Sequence, residues 1–198
     1  ALETLVRVAE VPGTGESLTG FALGTIFQNM AATNHEIRKE GFEGKEVTME
    51  QYDEMQLMGK TEEEKEVLQS QKDIDTTELC HERIRKMASA GVPRALVALL
   101  DDKHSVSEQT MEQLVHALVR MASEQSVRGQ MVQQGVLSAC IKVDKKEGPT
   151  ETDTMKKVIR FARHCIAKIL ISMNPTLLTS AQRLGSIRPL IQLVRDNK

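Results

Sequence analysis

Five histidines, three cysteines and the run Glu62-Glu63-Glu64 are the side chains here best suited to acid–base, nucleophilic or metal chemistry. Their spacing supports none of it. No C-x-x-C pair occurs, and a structural metal needs several converging ligands. His81 follows Cys80 and His164 precedes Cys165, but neighbouring residues on a helix point to different faces. Cys80, Cys140 and Cys165 are therefore read as packing or surface thiols. Their odd number and scattered placement fit a reducing, cytoplasmic setting. Pro12-Gly13-Thr14-Gly15 is no phosphate loop, because no G-K-[ST] follows it. There is no H-E-x-x-H and no nucleophile elbow. The glutamate run lacks an apolar setting that would raise a carboxyl pKa. The expectation is a chain with no catalytic residue, no cofactor and no metal, whose work is binding.

The elements that would position binding residues are helices. Apolar residues make up 40% and aromatics 3%, a composition of Leu, Met, Ala, Glu and Lys that favours helix over sheet. The period i, i+3, i+4, i+7 runs through Met111, Leu114, Val115, Leu118, Val119 and Ala122. It runs again through Met155, Val158, Ile159, Ala162, Cys165, Ile166, Ile169 and Leu170. Phe161, Ala167 and Ile171 widen that second stripe, which predicts a helix between neighbours. A third helix is expected from about Glu16 to Thr33, with a short one over Leu2 to Val8 before it. Others are expected from about Ile74 to Ala90, from Pro93, and around Val127 to Val132.

Glycines punctuate these helices regularly. At +5, +6, +8 and +9 after Gly91 stand Leu96, Val97, Leu99 and Leu100; after Gly185 stand Leu190, Ile191, Leu193 and Val194. After Gly135 the copy is weaker: Cys140, Ile141, Val143 and Asp144. The intervals are 135 − 91 = 44 and 185 − 135 = 50 residues, the longer one holding the polar loop Asp144 to Thr154. Without that loop the period is near the 40–47 residues of armadillo repeats. The fold class expected is therefore all-α, a right-handed helical solenoid of armadillo type. The charged stretch from His35 to Asp75 reads as one or two short helices outside the repeat, either a neck that sets the angle between two blocks or a solvated insertion.

In armadillo repeats the third helix lines a concave face, and an Asn in an L-x-N-L-like run grips a partner's backbone through its paired donor and acceptor. Ile26-Phe27-Gln28-Asn29-Met30-Ala31 matches that run, which makes Asn29 the first candidate. Arg120 in Ala117-Leu118-Val119-Arg120-Met121-Ala122 and Leu170 stand at the equivalent places. His116 and Gln113 precede Arg120 on one face, and Arg163 lies two turns before Leu170. The candidate partner-binding set is Asn29, Gln113, His116, Arg120 and Arg163. A net charge of −2 gives no support for nucleic acid as partner, and no apolar run is long enough for a membrane span.

Several runs resemble one family. Arg128-Gly129-Gln130-Met131-Val132-Gln133-Gln134-Gly135 is similar to the R-G-x-V-V-x-x-G stretch of UCS-domain myosin chaperones. Asn174-Pro175, Gln182-Arg183 and Ile187-Arg188-Pro189-Leu190-Ile191-Gln192-Leu193 resemble that family's N-P…Q-R…I-R-P-L-x-x-L stretch, and Glu147-Gly148 with Thr150 its E-G-T loop. Ala22 to Asn29 looks like the last helix of the family's central domain, and Arg83 to Val92 like the start of the UCS domain. Val136, Ala181 and the Met-rich segment Thr48 to Lys60 depart from the pattern. The resemblance implies residues 1–35 as the end of a central domain, 36–78 as a neck and 79–198 as the first UCS repeats. It implies a cytoplasmic co-chaperone whose client is the myosin motor domain, and which recruits the ninety-kilodalton heat-shock chaperone through a region absent here. A general armadillo adaptor for an extended peptide is the alternative. The chain reads as a piece of a longer protein, and its last repeat, at Leu190, Ile191, Leu193 and Val194, is expected to self-associate or fray.

Overall fold

The computed structural model describes residues 1–42, 48–73, 75–101, 106–148 and 152–196. Ile74 and Thr150, named above, lie outside them. The described residues are all-helical, with no strand among them. The elements are α1 (Leu2–Ala9), α2 (Leu18–Met30), α3 (Asn34–Phe42), α4 (Met49–Leu57), α5 (Glu62–Asp73), α6 (Thr77–Ser89), α7 (Val92–Leu99), α8 (Glu108–Met121), α9 (Arg128–Gln133), α10 (Val136–Asp144), α11 (Asp153–Ser172) and α12 (Ser180–Asp196).

Sequence chemistry sets the helix starts. Ser107 and Thr152 accept the backbone N–H three residues on, opening α8 and α11. The three charged helices α3, α4 and α5 each begin with a reciprocal box: Thr33 with Glu36, Thr48 with Gln51, and Thr61 with Glu64. Gly91 and Gly135 sit at φ of 87° and 89° as the caps before α7 and α10, a left-handed turn that glycine enters without steric cost.

Packing forms two rows. In one, α2 lies along α8 and α8 along α11; in the other, α1 meets α7, α7 meets α10 and α10 meets α12. A single apolar cluster runs through both, from Val6 to Leu178, with Phe27, Leu96, Leu118, Leu137 and Ile166 wholly enclosed. Each such side chain contributes roughly 1.5–3 kcal/mol relative to leaving it in water. The buried positions of the first row share one register. Met111, Leu114, Val115 and Leu118 of α8 correspond to Ile159, Ala162, Arg163 and Ile166 of α11, with 166 − 118 = 48. They correspond equally to Gly20, Leu23, Gly24 and Phe27 of α2, with 118 − 27 = 91.

Three expectations change. Gly185 begins no new helix: α12 runs through it, with Pro189 in its interior. Gly185 is instead a close-approach residue, since a Cβ there would stand 3.0 Å from Ile141 Cγ2 on α10. The described residues between His35 and Asp75 hold three helices, α3, α4 and α5, where one or two were expected, and α2 packs directly on α8 across them. The two ends of this stretch are pinned together. Asp75 accepts from the Asn34 N–H at 2.6 Å and from Arg83 Nη1 at 2.6 Å, while Arg83 also donates to the Met30 and Ala32 carbonyls at the end of α2. Arg120 is not a surface residue; it is 9% exposed.

A polar ladder on the helix row

On the exposed side of α2, α8 and α11 the shared register aligns polar side chains in rungs. Asn29, Arg120 and Lys168 form one, and Thr25, His116 and His164 another. The first rung satisfies helix ends. The last four carbonyls of a helix have no internal donor, and its C-terminus carries partial negative charge. Arg120 Nη1 donates to the Gln28 carbonyl of α2 at 3.1 Å, and Lys168 Nζ donates to the Val119 carbonyl of α8 at 3.2 Å. Gln28 and Val119 are themselves equivalent (119 − 28 = 91), so each helix supplies a cation to the same place on its predecessor. Burial pushes the Lys168 ammonium below its usual range, with Arg128 adding repulsion; Cys165 and Glu36 act the other way. Asn29 is exposed at the first helix of the row.

Around the second rung lies a cleft of about 330 Å³ lined by Gln28, Glu40, Gln113, His116, Arg160 and Phe161, with Glu112 and Lys157 at its sides. His116 lies flat on Phe161, ring centroids 4.3 Å apart and planes within 10°. Gln28 Nε2 is 2.9 Å from His116 Nδ1, and His116 Nε2 is 3.5 Å from Glu40 Oε1. A neutral imidazole with its proton on Nε2 satisfies both neighbours. Burial, then the Arg120 charge, lowers the His116 pKa from 6.5 to about 4, with Lys168 adding to it and Glu40 opposing, so His116 is uncharged at neutral pH. Glu40 also meets Arg120 Nη2 at 2.5 Å, a contact not aligned as a hydrogen bond.

The structure thus brings Gln113, His116 and Arg120 to one place: Gln113 and His116 line the cleft, and Arg120 meets Glu40 beside it. Asn29 is on the same row outside the cleft. Arg163 is elsewhere. It stands at the enclosed position of Val115 and Gly24, is 4% exposed, and pairs with Asp144 Oδ1 at 2.7 Å and Glu147 Oε1 at 3.0 Å. Arg188 of α12 joins both acids from the other side. Arg163 therefore ties α10, α11 and α12 together and presents no guanidinium to a partner. That pairing also accounts for Asp144, the polar residue in the weak copy after Gly135. The residues missed are Lys157, Arg160, Phe161, His164 and Lys168. The offset of 48 between the apolar patterns of α8 and α11 contains them; matching Arg120 to Leu170 instead of Lys168 (120 + 48 = 168) hid them.

All three cysteines are free and buried, and Cys140 packs against Cys165, a contact that with burial pushes its thiol well up. Among the described residues no three of His, Cys, Asp and Glu converge as a metal ion would need, and no helix is long and apolar enough to cross a membrane. Comparison with known protein families, with curated proteins and with solved structures finds no match for this chain.

Proposed function

We propose that this chain is part of a non-enzymatic, protein-binding solenoid of armadillo type, and that its partner is a myosin motor domain which it assists in folding and assembly. The observation that carries the scaffold reading is the repeated register of α2, α8 and α11, with the same buried positions and the same cation-to-carbonyl contact from one helix to the next. Repetition of that kind is how stacked repeats generate an extended surface. The client follows from the resemblance of the runs around Arg128 and Ile187 to UCS-domain chaperones. In that reading the chain is cytoplasmic, and recruitment of the ninety-kilodalton heat-shock chaperone belongs to a region outside it.

A general adaptor for extended peptides fits the ladder less well. Such a protein needs a free amide at each rung, and here Arg120 and Lys168 stand where Asn29 repeats, each donating to backbone. The test is binding to a heat-destabilised myosin motor domain, with native motor and an unrelated unfolded protein as controls. Selective capture of the destabilised motor is expected, lost when exposed Lys157 and Arg160 are reversed to Glu. Equal capture of the unrelated protein would sink the myosin reading, and preference for a short extended peptide would favour the adaptor.

A further inference from the structure

Glu40 enters the cleft from outside the repeating row. It belongs to α3, which follows α2, and its one carboxylate lies against both Arg120 and His116 of α8. The helix that carries it is weakly anchored. Of residues 34–41 none is buried, and Ile37 is only half-covered. Its polar fixed points include the Thr33–Glu36 box, the Asn34–Asp75 hydrogen bond and Glu40 itself. Residues 34–41 enclose no apolar side chain, and such a stretch opens at small cost. Gly41 further weakens it as a helix.

What lies beneath is positive. With Glu40 withdrawn, the cleft lining holds Lys157 and Arg160 against Glu112, and the Arg120 guanidinium that Glu40 meets stands next to it. Arg120 is nine-tenths buried, and its Nη2 touches Glu40 without hydrogen-bond alignment. A guanidinium so placed gains most from a carboxylate able to approach in its plane. Glu36, on the same helix, acts electrostatically on Lys168 of the same rung. Two carboxylates of α3 thus stand by two cations of one rung, while its Arg38 and Lys39 balance them in the helix as a whole.

We propose that the Glu40 carboxylate is a built-in occupant of the α2–α8–α11 face, and that this face takes an acidic segment of a partner protein, whose carboxylates replace Glu40 at Arg120 and engage Lys157 and Arg160. The inference rests on the reading of this face as a docking surface. A basic segment is disfavoured, because it would meet three cations across the cleft.

The probe is a fluorescein-labelled decaglutamate peptide, with decalysine and a Gly-Ser peptide of equal length as controls, titrated into the whole chain and followed by anisotropy at low and at physiological salt. Decaglutamate is expected to bind, more weakly as salt rises, and Glu40→Gln to tighten it at least fivefold. Lys157→Glu with Arg160→Glu, both exposed and outside the core, is expected to abolish it. In the wild-type chain, hydrogen exchange is expected to quicken at residues 35–42 when decaglutamate is added, a readout that does not depend on any variant folding. Unchanged exchange there, affinity equal in wild type and Glu40→Gln, or preference for decalysine overturns the proposal. The two readings fail separately. Decaglutamate binding without capture of the motor domain removes the myosin client and keeps the acidic ligand. Motor capture that is lost on reversal of Lys157 and Arg160 yet indifferent to Glu40→Gln removes the displacement and keeps the docking face.

Discussion

At His116 burial and a neighbouring cation decide the protonation state, and the sign of the pH effect follows. The unfolded imidazole titrates near 6.5 and the folded one near 4, so the unfolded chain takes up the proton first. The stability contributed by neutral His116 is complete above pH 6.5 and is lost as pH falls toward 4. At pH 5 the loss is about 2 kcal/mol from those two pKa values. Urea denaturation at pH 7 and pH 5 is expected to show it, and His116→Gln to remove most of the difference; an unchanged difference would place the acid sensitivity elsewhere. Asp144 and Arg163 make the second residue-scale case. Asp144→Ala takes the 2.7 Å acid partner from a buried guanidinium, and is expected to cost about 3 kcal/mol in chemical denaturation. Replacing the pair together by Asp144→Leu and Arg163→Met is expected to cost much less, because no charge is then stranded.

Among the elements, two glycines carry opposite expectations, and only Gly24 sets a helix spacing. A Cβ on Gly24 would stand 2.9 Å from Gln113 Cβ and 3.2 Å from Leu114 Cδ2, so α2 and α8 would have to separate. Gly24→Ala is expected to destabilise by roughly 1–3 kcal/mol, a fall of several degrees in Tm, and to disturb the Gln28–His116 contact next to it. A Cβ on Gly41 meets nothing within 4 Å. Gly41→Ala is expected to stabilise α3 by up to about 1 kcal/mol through helix propensity and to weaken decaglutamate binding, because the occupant is harder to displace. Calorimetry and the same anisotropy titration separate the two effects; a tighter peptide complex in Gly41→Ala would contradict the role given to α3.

Across the whole molecule, one face stands out as unpartnered among the described residues. Leu184, Ile187, Ile191 and Val194 follow a helical period along α12 and are all exposed, as is Ile171 of α11. The row differs from the one expected: Leu190 turns inward and packs on the core, while Leu184 and Ile187 join the surface. Contiguous exposed apolar area of this kind promotes association. Sedimentation of this chain is expected to depend on concentration, and Leu184→Glu with Ile191→Glu to abolish that dependence. A monomer at every concentration would reject it.

Periodicity alone made the helices legible. Met111 to Ala122 and Met155 to Leu170 carry one apolar stripe each, and a stripe at 3.6 residues has one way to be buried. Gly91 and Gly135 were legible as turns because both fall after a periodic run and before a fresh one. Gly185 has the same local pattern, but its tight contact with Ile141 on α10 is a distant one that no local pattern encodes. Burial of charge was likewise invisible. Arg163 and Arg120 are both arginines on amphipathic helices, and a buried acid 19 residues away and an ion pair from α3 set their roles. The candidate cleft was half legible: Gln113, His116 and Arg120 share one helix, so their spacing places them together. Lys157, Arg160, Phe161 and Glu40 come from two other helices. Only the packing of α8 on α11, with Glu40 of α3 reaching Arg120 and His116, decides that these groups meet, because side-chain proximity between elements depends on register in three dimensions and not on separation along the chain.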